Sequence, residues 1–344
     1  MSALVEELVL LSLDEGGNLS HRTVSSAFRT ALIGACLIEL NQQGRLDVEL
    51  DGVKRLSGEK TGQEPLDWVL EHLDWDVLLN GEGWILRHTA EASALMNVAL
   101  EAMVRRGVLE LANSKRLWLF KQRAFAVVEP LRLQQVKLRI HATLLGDALP
   151  TPHDSALIGL ADLAGLLEGF ISAVELARLQ PRLETVGGLD LVVRGLGSAV
   201  LDDNLSRFQP GPDIQASPSQ ASLMSEPGFV MEPQQSAHAW VARPVGRLDY
   251  DAAASFQTGL EALVASAQAT KQPLVLNLAG LRFVSSAGLR AFLVAARAAQ
   301  SVGVPLTLCE LTGAVRDVFE QSGFSRLMRI VATENDAIAP PETL

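Results

Sequence analysis

Residues 205–236 contain the run LSRFQPGPDIQASPSQASLMSEPGFVMEPQQ. Proline, serine and glutamine dominate it, its acids are scattered, and no apolar period is sustained. Such a stretch cannot bury enough surface to offset the entropy of ordering it, so it predicts a flexible linker. It splits the 344-residue chain into two parts. One covers 1–204 and the other 237–335, with a tail at 336–344. Two domains also agree with the general prior of roughly 100–200 residues per domain.

The two parts differ in periodicity. In the first, LVEELVLLSL and ALIGACLIELNQQG repeat apolar residues at helical spacing. The second of these ends in a glycine suited to a helix C-cap, after which RLDVEL alternates like a short strand. ALMNVALEAMVRRGVLEL repeats the device, with Gly107 between helix and strand. RLWLF and AFAVV, joined by KQR, predict a β-hairpin that lacks the usual Asn-Gly turn. LRLQQVKLRIHATLLG and SALIGLADLAGLLEGFI return to the helical pattern. The expectation for this part is a mainly α-helical bundle with short β elements and a β-hairpin.

The second part alternates element types. AWVARPV, PLVLNLAGL, PLTLCEL and LMRIVAT predict strands. FQTGLEALVASAQA, SAGLRAFLVAARAAQSVG and TGAVRDVFEQSG predict helices, the last two closed by Gly303 and Gly323. Alternation at this spacing predicts a compact α/β domain, a sheet covered by helices.

Bulk charge removes some functions. The formal net charge is −11, a field that repels nucleic-acid phosphates. The same field opposes broad adhesion to anionic membranes, so lipid contact would need a local basic patch. Cys36 and Cys309 each sit in an apolar run, where a free cysteine behaves as a small core residue; a reducing, cytoplasmic compartment follows as an expectation. No apolar segment reaches the 18 or so residues of a membrane span, and MSALVEELVLLSLDE has neither a basic start nor a cleavage site. The six histidines show no metal-ligand spacing. No metal or cofactor is expected.

Residues 283–290, FVSSAGLR, place two serines and a glycine where a strand turns into a helix. A hydrolase elbow needs Gly-x-Ser-x-Gly, but Val284 replaces the first glycine, and no histidine follows residue 238 to complete a triad. LSGEKTGQ has Glu59 where a phosphate loop needs lysine, and GLGSAV has Val200 where a dinucleotide fingerprint needs glycine. Two readings of the serines stay open. They cap the helix, or one carries a phosphate, which the first-turn N–H groups and helix dipole would stabilise. The second reading requires a hydroxyl at Ser286 that is open to solvent.

GRLDYDAA at 246–253, LVLNLAGLRFVSSAGLR at 274–290 and VRDVFEQSGFSRLMRI at 315–330 together resemble a STAS domain of the bacterial anti-sigma factor antagonist type. The resemblance implies a phosphorylated serine at Ser286, modified by a serine kinase that is itself the anti-sigma factor. It also implies partner docking around Asp249, Gly288 and Arg290. Ser285 stands where many members have aspartate, and Ala287 where many have serine or threonine, so Ser285 is a second candidate phosphosite.

VEELVLLSLDEGGNL, LIGACLIELNQQGRLDVE, VRRGVLEL and DSALIGLADLAGLLEG resemble, in order, the Golgi phosphoprotein family. That resemblance implies binding of phosphatidylinositol 4-phosphate, capture of membrane-enzyme tails, and self-association through a protruding hairpin. The family's headgroup positions fall on Val24, Ile33, Ser93 and Met96, none of which pairs with a phosphate. A basic and aromatic cluster remains in the hairpin: Lys115, Arg116, Trp118, Phe120, Lys121, Arg123 and Phe125, followed by Arg132, Lys137 and Arg139. It suits an acidic lipid headgroup, with rings at headgroup depth and cations on phosphate. An amphipathic hairpin packed on one face, or a homo-oligomer surface, accounts for the same alternation. Trp68, Trp75 and Trp84 are expected in the core.

The expected function is a non-enzymatic regulatory adaptor, cytoplasmic or peripheral to a membrane. A phosphorylation-switched domain would bind a serine kinase or anti-sigma factor, and the N-terminal domain would add a docking surface. A peripheral protein that binds acidic lipids and a structural scaffold are the alternatives.

Overall fold

The structure, a computed structural model, describes residues 3–14, 17–49, 52–72, 92–111, 125–196 and 229–338. The N-terminal part is helical. Helix α1 (Leu4–Leu11) and helix α2 (Ser26–Gln42) are followed by an antiparallel pair, β1 (Leu46–Glu49) and β2 (Gly52–Arg55). Then come α3 (Glu64–His72), α4 (Ala92–Arg105), β3 (Leu109–Leu111) and β4 (Phe125–Val127). Helices α5 (Pro130–Leu145), α6 (Pro152–Leu163) and α7 (Ala173–Gly187) complete it, with a further helical turn at 191–196.

Helix α2 is the hub, since α1, α3, α4 and α6 all pack on it. Phe28, Leu32, Cys36 and Leu40 fill its buried side, while Ser25 caps it by accepting from the Phe28 N–H at 3.1 Å. Glu39, also buried, accepts from the Val5 N–H at 2.8 Å and so ties down the first turn of α1. Burial raises the pKa of the Glu39 carboxyl against this hydrogen bond. The chain leaves α2 through Gly44 at φ +68° and enters β1.

The strand at 125–127 pairs antiparallel with Leu109–Leu111, closing on the strand that follows Gly107. The partner that the sequence favoured for it, 116–120, lies outside the described residues.

The C-terminal part begins with β5 (Val230–Gln235) and β6 (Trp240–Leu248). Next are α8 (Tyr250–Thr270), β7 (Leu274–Asn277), β8 (Leu281–Val284), α9 (Ser286–Ser301) and β9 (Leu306–Cys309). Then come α10 (Gly313–Gln321), β10 (Arg329–Val331) and α11 (Glu334–Ile338). The sheet runs β10-β9-β7-β6-β5, parallel except for the antiparallel edge strand β5, and β8 pairs in parallel with the far end of β6. It is the mixed sheet interleaved with helices that the alternation predicts.

All four residues of β7 are buried, as expected for a strand covered on both faces. Val241, Val275 and Cys309 face a small cluster with Ala337 of α11, while Ala242, Leu274, Leu276 and Leu308 join the main core with α8 and α9. Phe229, Phe256, Phe292, Phe319 and Phe324 form an edge-to-face row, with successive ring centres 5.5, 4.8, 5.1 and 5.4 Å apart.

Strand β5 falls inside the stretch that its composition marked as linker. Pro233 and two glutamines read as loop in a sequence, but an edge strand tolerates a proline because one side of it is unpaired. The linker expectation for 205–228 lies outside the described residues, as does the tail beyond 338.

Candidate functional site

The sequence singled out the turn from β8 into α9, and the structure sets it at a junction between the two parts of the chain. Ser285 is the N-cap residue in extended backbone, and its N–H donates to the Leu248 carbonyl at 3.0 Å, pinning the helix start to the end of β6. The close approach explains Gly288. A methyl there would come within 2.8 Å of the Leu248 carbonyl oxygen. Gly288 is therefore buried packing, not an exposed docking residue.

Neither serine caps the helix with its side chain. Ser285 Oγ is buried, makes no cap bond, and faces the Asp47 carboxylate instead. Ser286 Oγ donates instead to Asn41 Oδ1, at 3.3 Å, across 245 positions of sequence. The capping reading thus fails in its usual form. So does the expected exposure: Ser286 is 6% exposed and Ser285 0%, because the N-terminal part covers them.

The cover is polar. Asn41, buried in the last turn of α2, donates to the Leu46 carbonyl at 3.0 Å and accepts from Arg290 Nη2 at 2.9 Å as well as from Ser286. Asp47 Oδ2 accepts from the Tyr250 N–H at 3.3 Å. Gly44 lies against the Tyr250 ring, where a methyl would come within 2.4 Å of the hydroxyl. Farther along α9, Gln300 Oε1 accepts from the Leu149 N–H at 3.0 Å. Asp249 caps α8, accepting from the Ala252 N–H at 3.3 Å.

Charge at the junction is strained by burial. Desolvation raises the Asp47 carboxyl pKa, and Asp249 nearby raises it further, while the Tyr250 N–H and the Ser285 hydroxyl pull it down. Asp190, which accepts from the Val192 N–H at 2.9 Å, is raised by burial and lowered by Arg290. Burial lowers the pKa of the Arg290 guanidinium, and Asp190, Tyr250 and Asp47 oppose that shift. Asp190, Leu191, Ser286, Arg290 and Phe324 line a narrow crevice at the junction.

The basic-aromatic cluster fares differently. Lys115, Arg116, Trp118, Phe120, Lys121 and Arg123 lie outside the described residues. Phe125, expected at the same surface, is 3% exposed; strand pairing turns its ring into the core. Among the cations that follow, Arg132 pairs with buried Glu6, and Arg139 with buried Glu7 and Asp154. Lys137 sits over the Phe170 ring at 5.6 Å. Ile33 and Met96, at two of the headgroup positions, are core residues. Trp68 is partly buried and stacks on His72; Trp75 and Trp84 lie outside the described residues. Both cysteines are buried and free. No cluster of metal-binding side chains and no helix long and apolar enough to cross a membrane occurs among the described residues.

Asn41, Asp47, Asp190 and Tyr250 were not anticipated as site residues. One signal was available for Asn41, which stands four residues after Leu37, in apolar phase on α2.

A helical part that meets the serine-bearing helix start of an α/β part defines a two-module protein, and comparison with known proteins names both modules. Residues 4–202 match the family model for Golgi phosphoprotein 3 (GPP34), and residues 231–337 match the STAS domain. The chain belongs to the Golgi phosphoprotein 3 (GPP34) family and carries a C-terminal STAS domain of the anti-sigma factor antagonist type.

A putative anti-sigma factor antagonist, BtrV of Bordetella bronchiseptica, is 40% identical over 81 residues, 24% of this chain and 70% of that protein. Vacuolar protein sorting-associated protein 74 of Eremothecium gossypii is 29% identical over 164 residues, 41% of this chain. This second match spans about half (49%) of that relative's length. The structure of the anti-sigma factor antagonist SpoIIAA in its unphosphorylated form aligns at 23% identity with a TM-score of 0.25, covering 32% of this chain and 94% of that one.

Proposed function

We propose that this chain is a non-catalytic regulatory adaptor whose STAS domain binds a serine kinase or anti-sigma factor and is switched by phosphorylation at Ser286, with Ser285 as the neighbouring alternative. The observation that carries this reading is the position of Ser286. It opens α9 on a face that already receives another protein domain, and its hydroxyl points to a residue of that other domain. Separating the domains would bare the hydroxyl without unfolding the STAS core. A phosphate of about −1.5 to −2 charge there would reverse the electrostatics of the face. Intact-mass analysis of the full chain after incubation with candidate kinases tests the reading, together with affinity capture comparing wild type and Ser286→Asp. A kinase lost from the variant alone supports it. No phosphate on either serine, with capture unchanged by the variant, ends it.

A second reading, peripheral attachment to an acidic membrane, draws on a different observation. Leu131, Leu138 and Leu145 recur every seven residues on one side of α5, and are 75%, 67% and 59% exposed. An apolar stripe of this kind suits insertion at a lipid interface. Co-sedimentation with phosphatidylinositol 4-phosphate vesicles at low salt, abolished by Leu138→Asp, is the expected result. A wild-type chain that stays in the supernatant refutes it.

A further inference from the structure

We propose that the GPP34 domain is itself the resident partner of the STAS serine face, and that this docking and a phosphate on Ser286 exclude each other. The phosphate half of this rests on the adaptor reading above; the docking half stands on the contacts alone.

Those contacts surround the serine. From one side, the end of α2 and the start of β1 supply Asn41 to Ser286 and Arg290, Gly44 to the Tyr250 ring, and Asp47 to the Tyr250 N–H. From the other, Leu189, Asp190 and Leu191 close over Ser286 and Arg290. Leu149 extends the contact along α9 to Gln300. Asn41 and Arg290 are complementary, a neutral acceptor meeting a guanidinium donor, so the GPP34 surface matches this helix start chemically as well as sterically.

Contact decides the exclusion. Ser286 Oγ lies 3.3 Å from Asn41 Oδ1, and the residue is 6% exposed. A phosphoryl group on that oxygen brings three further oxygens, which would overlap Asn41 unless the domains part. It would also stand near Asp47 and Asp190, with Arg290 as the nearby cation already shared with Asn41 and Asp190. Closed docking and a phosphorylated Ser286 are therefore alternative states.

The junction also carries groups that oppose closure. Asp47, Asp190 and Arg290 are ionisable and buried there, and burial disfavours their charged forms. By linkage, anything that binds the 41–47 surface of the GPP34 domain frees the STAS face, and any STAS partner on that face frees the GPP34 surface.

The test uses the full chain with phosphoserine encoded at position 286, read by small-angle scattering and by amide exchange. Tyr250 and Leu149 are the reporters because their N–H groups donate across the junction. The expected result is a larger radius of gyration and exchange about tenfold or more faster at both reporters, with Val275 and Leu276 in the STAS core unchanged. An unchanged radius and unchanged exchange overturn the proposal.

A second measurement avoids the phosphate. In a Ser286→Cys chain, N-ethylmaleimide should label position 286 slowly, and about tenfold faster once Asn41→Ala loosens the junction; equal rates overturn the proposal. Opening by encoded phosphoserine with no kinase able to modify Ser286 would leave this inference standing and remove the adaptor reading. Kinase modification that leaves the chain closed would do the reverse.

Discussion

Asn41→Ala is the sharpest perturbation of the junction, because one side-chain oxygen receives two hydrogen bonds from the other domain. The bond from Arg290 at 2.9 Å involves a charged donor, a class worth about 1.5–3 kcal/mol. The bond from Ser286 at 3.3 Å is long and neutral, so it belongs at the low end of about 0.5–1.5 kcal/mol. Arg290 is half-buried and regains some water on truncation, which discounts the sum to about 1.5–3 kcal/mol. That shifts the closed-to-open ratio by about 10- to 150-fold. The third bond, to the Leu46 carbonyl, lies within the GPP34 domain and is lost in both states; it should lower that domain's own stability by about 1 kcal/mol. Amide exchange on the full-length chain separates the two effects. Tyr250 and Leu149 should exchange about 10- to 150-fold faster, while Val275 and Leu276 keep their wild-type rates. Reporter rates within about twofold of wild type would mean that Asn41 does not hold the domains together.

Gly288→Ala should destabilise the STAS domain by about 1–3 kcal/mol, since its methyl would meet a backbone oxygen that cannot move aside. Calorimetry should register a fall of about 4–8 °C per kcal/mol in that domain's transition, and an unchanged Tm contradicts the close-packing role. Burial raises the pKa of Asp47 and Asp190 in the closed chain, so the closed state binds protons more tightly than the open one. Docking should therefore strengthen as pH falls from neutral toward the carboxylate range and weaken as it rises through the raised values. Exchange at Tyr250, corrected for intrinsic rate, should slow on acidification; Asp190→Asn keeps an N-cap acceptor and should flatten the profile, and faster corrected exchange in acid refutes the sign. Desolvation raises the Cys36 thiol pKa and pushes Cys309 up to about 12. Iodoacetamide at about pH 8 should thus leave the folded chain unmodified and alkylate both cysteines in denaturant; rapid native labelling would contradict their burial.

Local patterning made most of the elements legible. The phase of Phe28, Leu32, Cys36 and Leu40 announces α2, and the unbroken apolar run at 274–277 announces a strand covered on both sides. Strand β5 escaped because its exposed sequence, VMEPQQ, lacks the alternation that burial imposes on one face of a strand. Phe125 was misplaced for a related reason. Alternation shows that one face is apolar, not which neighbour that face meets, and here the neighbour is 109–111. At the site, SSAGL marked the strand-to-helix turn, yet what covers it was invisible. Asn41, Asp47 and Asp190 reach Ser286 and Arg290 through tertiary contacts far apart in sequence, for which no local propensity carries information.

The row of phenyl rings bears on what can replace the GPP34 domain. Phe324 ends that row and also walls the crevice beside Ser286. The receiving surface is consequently backed by interlocked aromatic side chains, which resist compression and re-forming. A competitor has to arrive with a contour already matched to a firm mould, and selectivity among rivals is then a question of shape before it is one of charge.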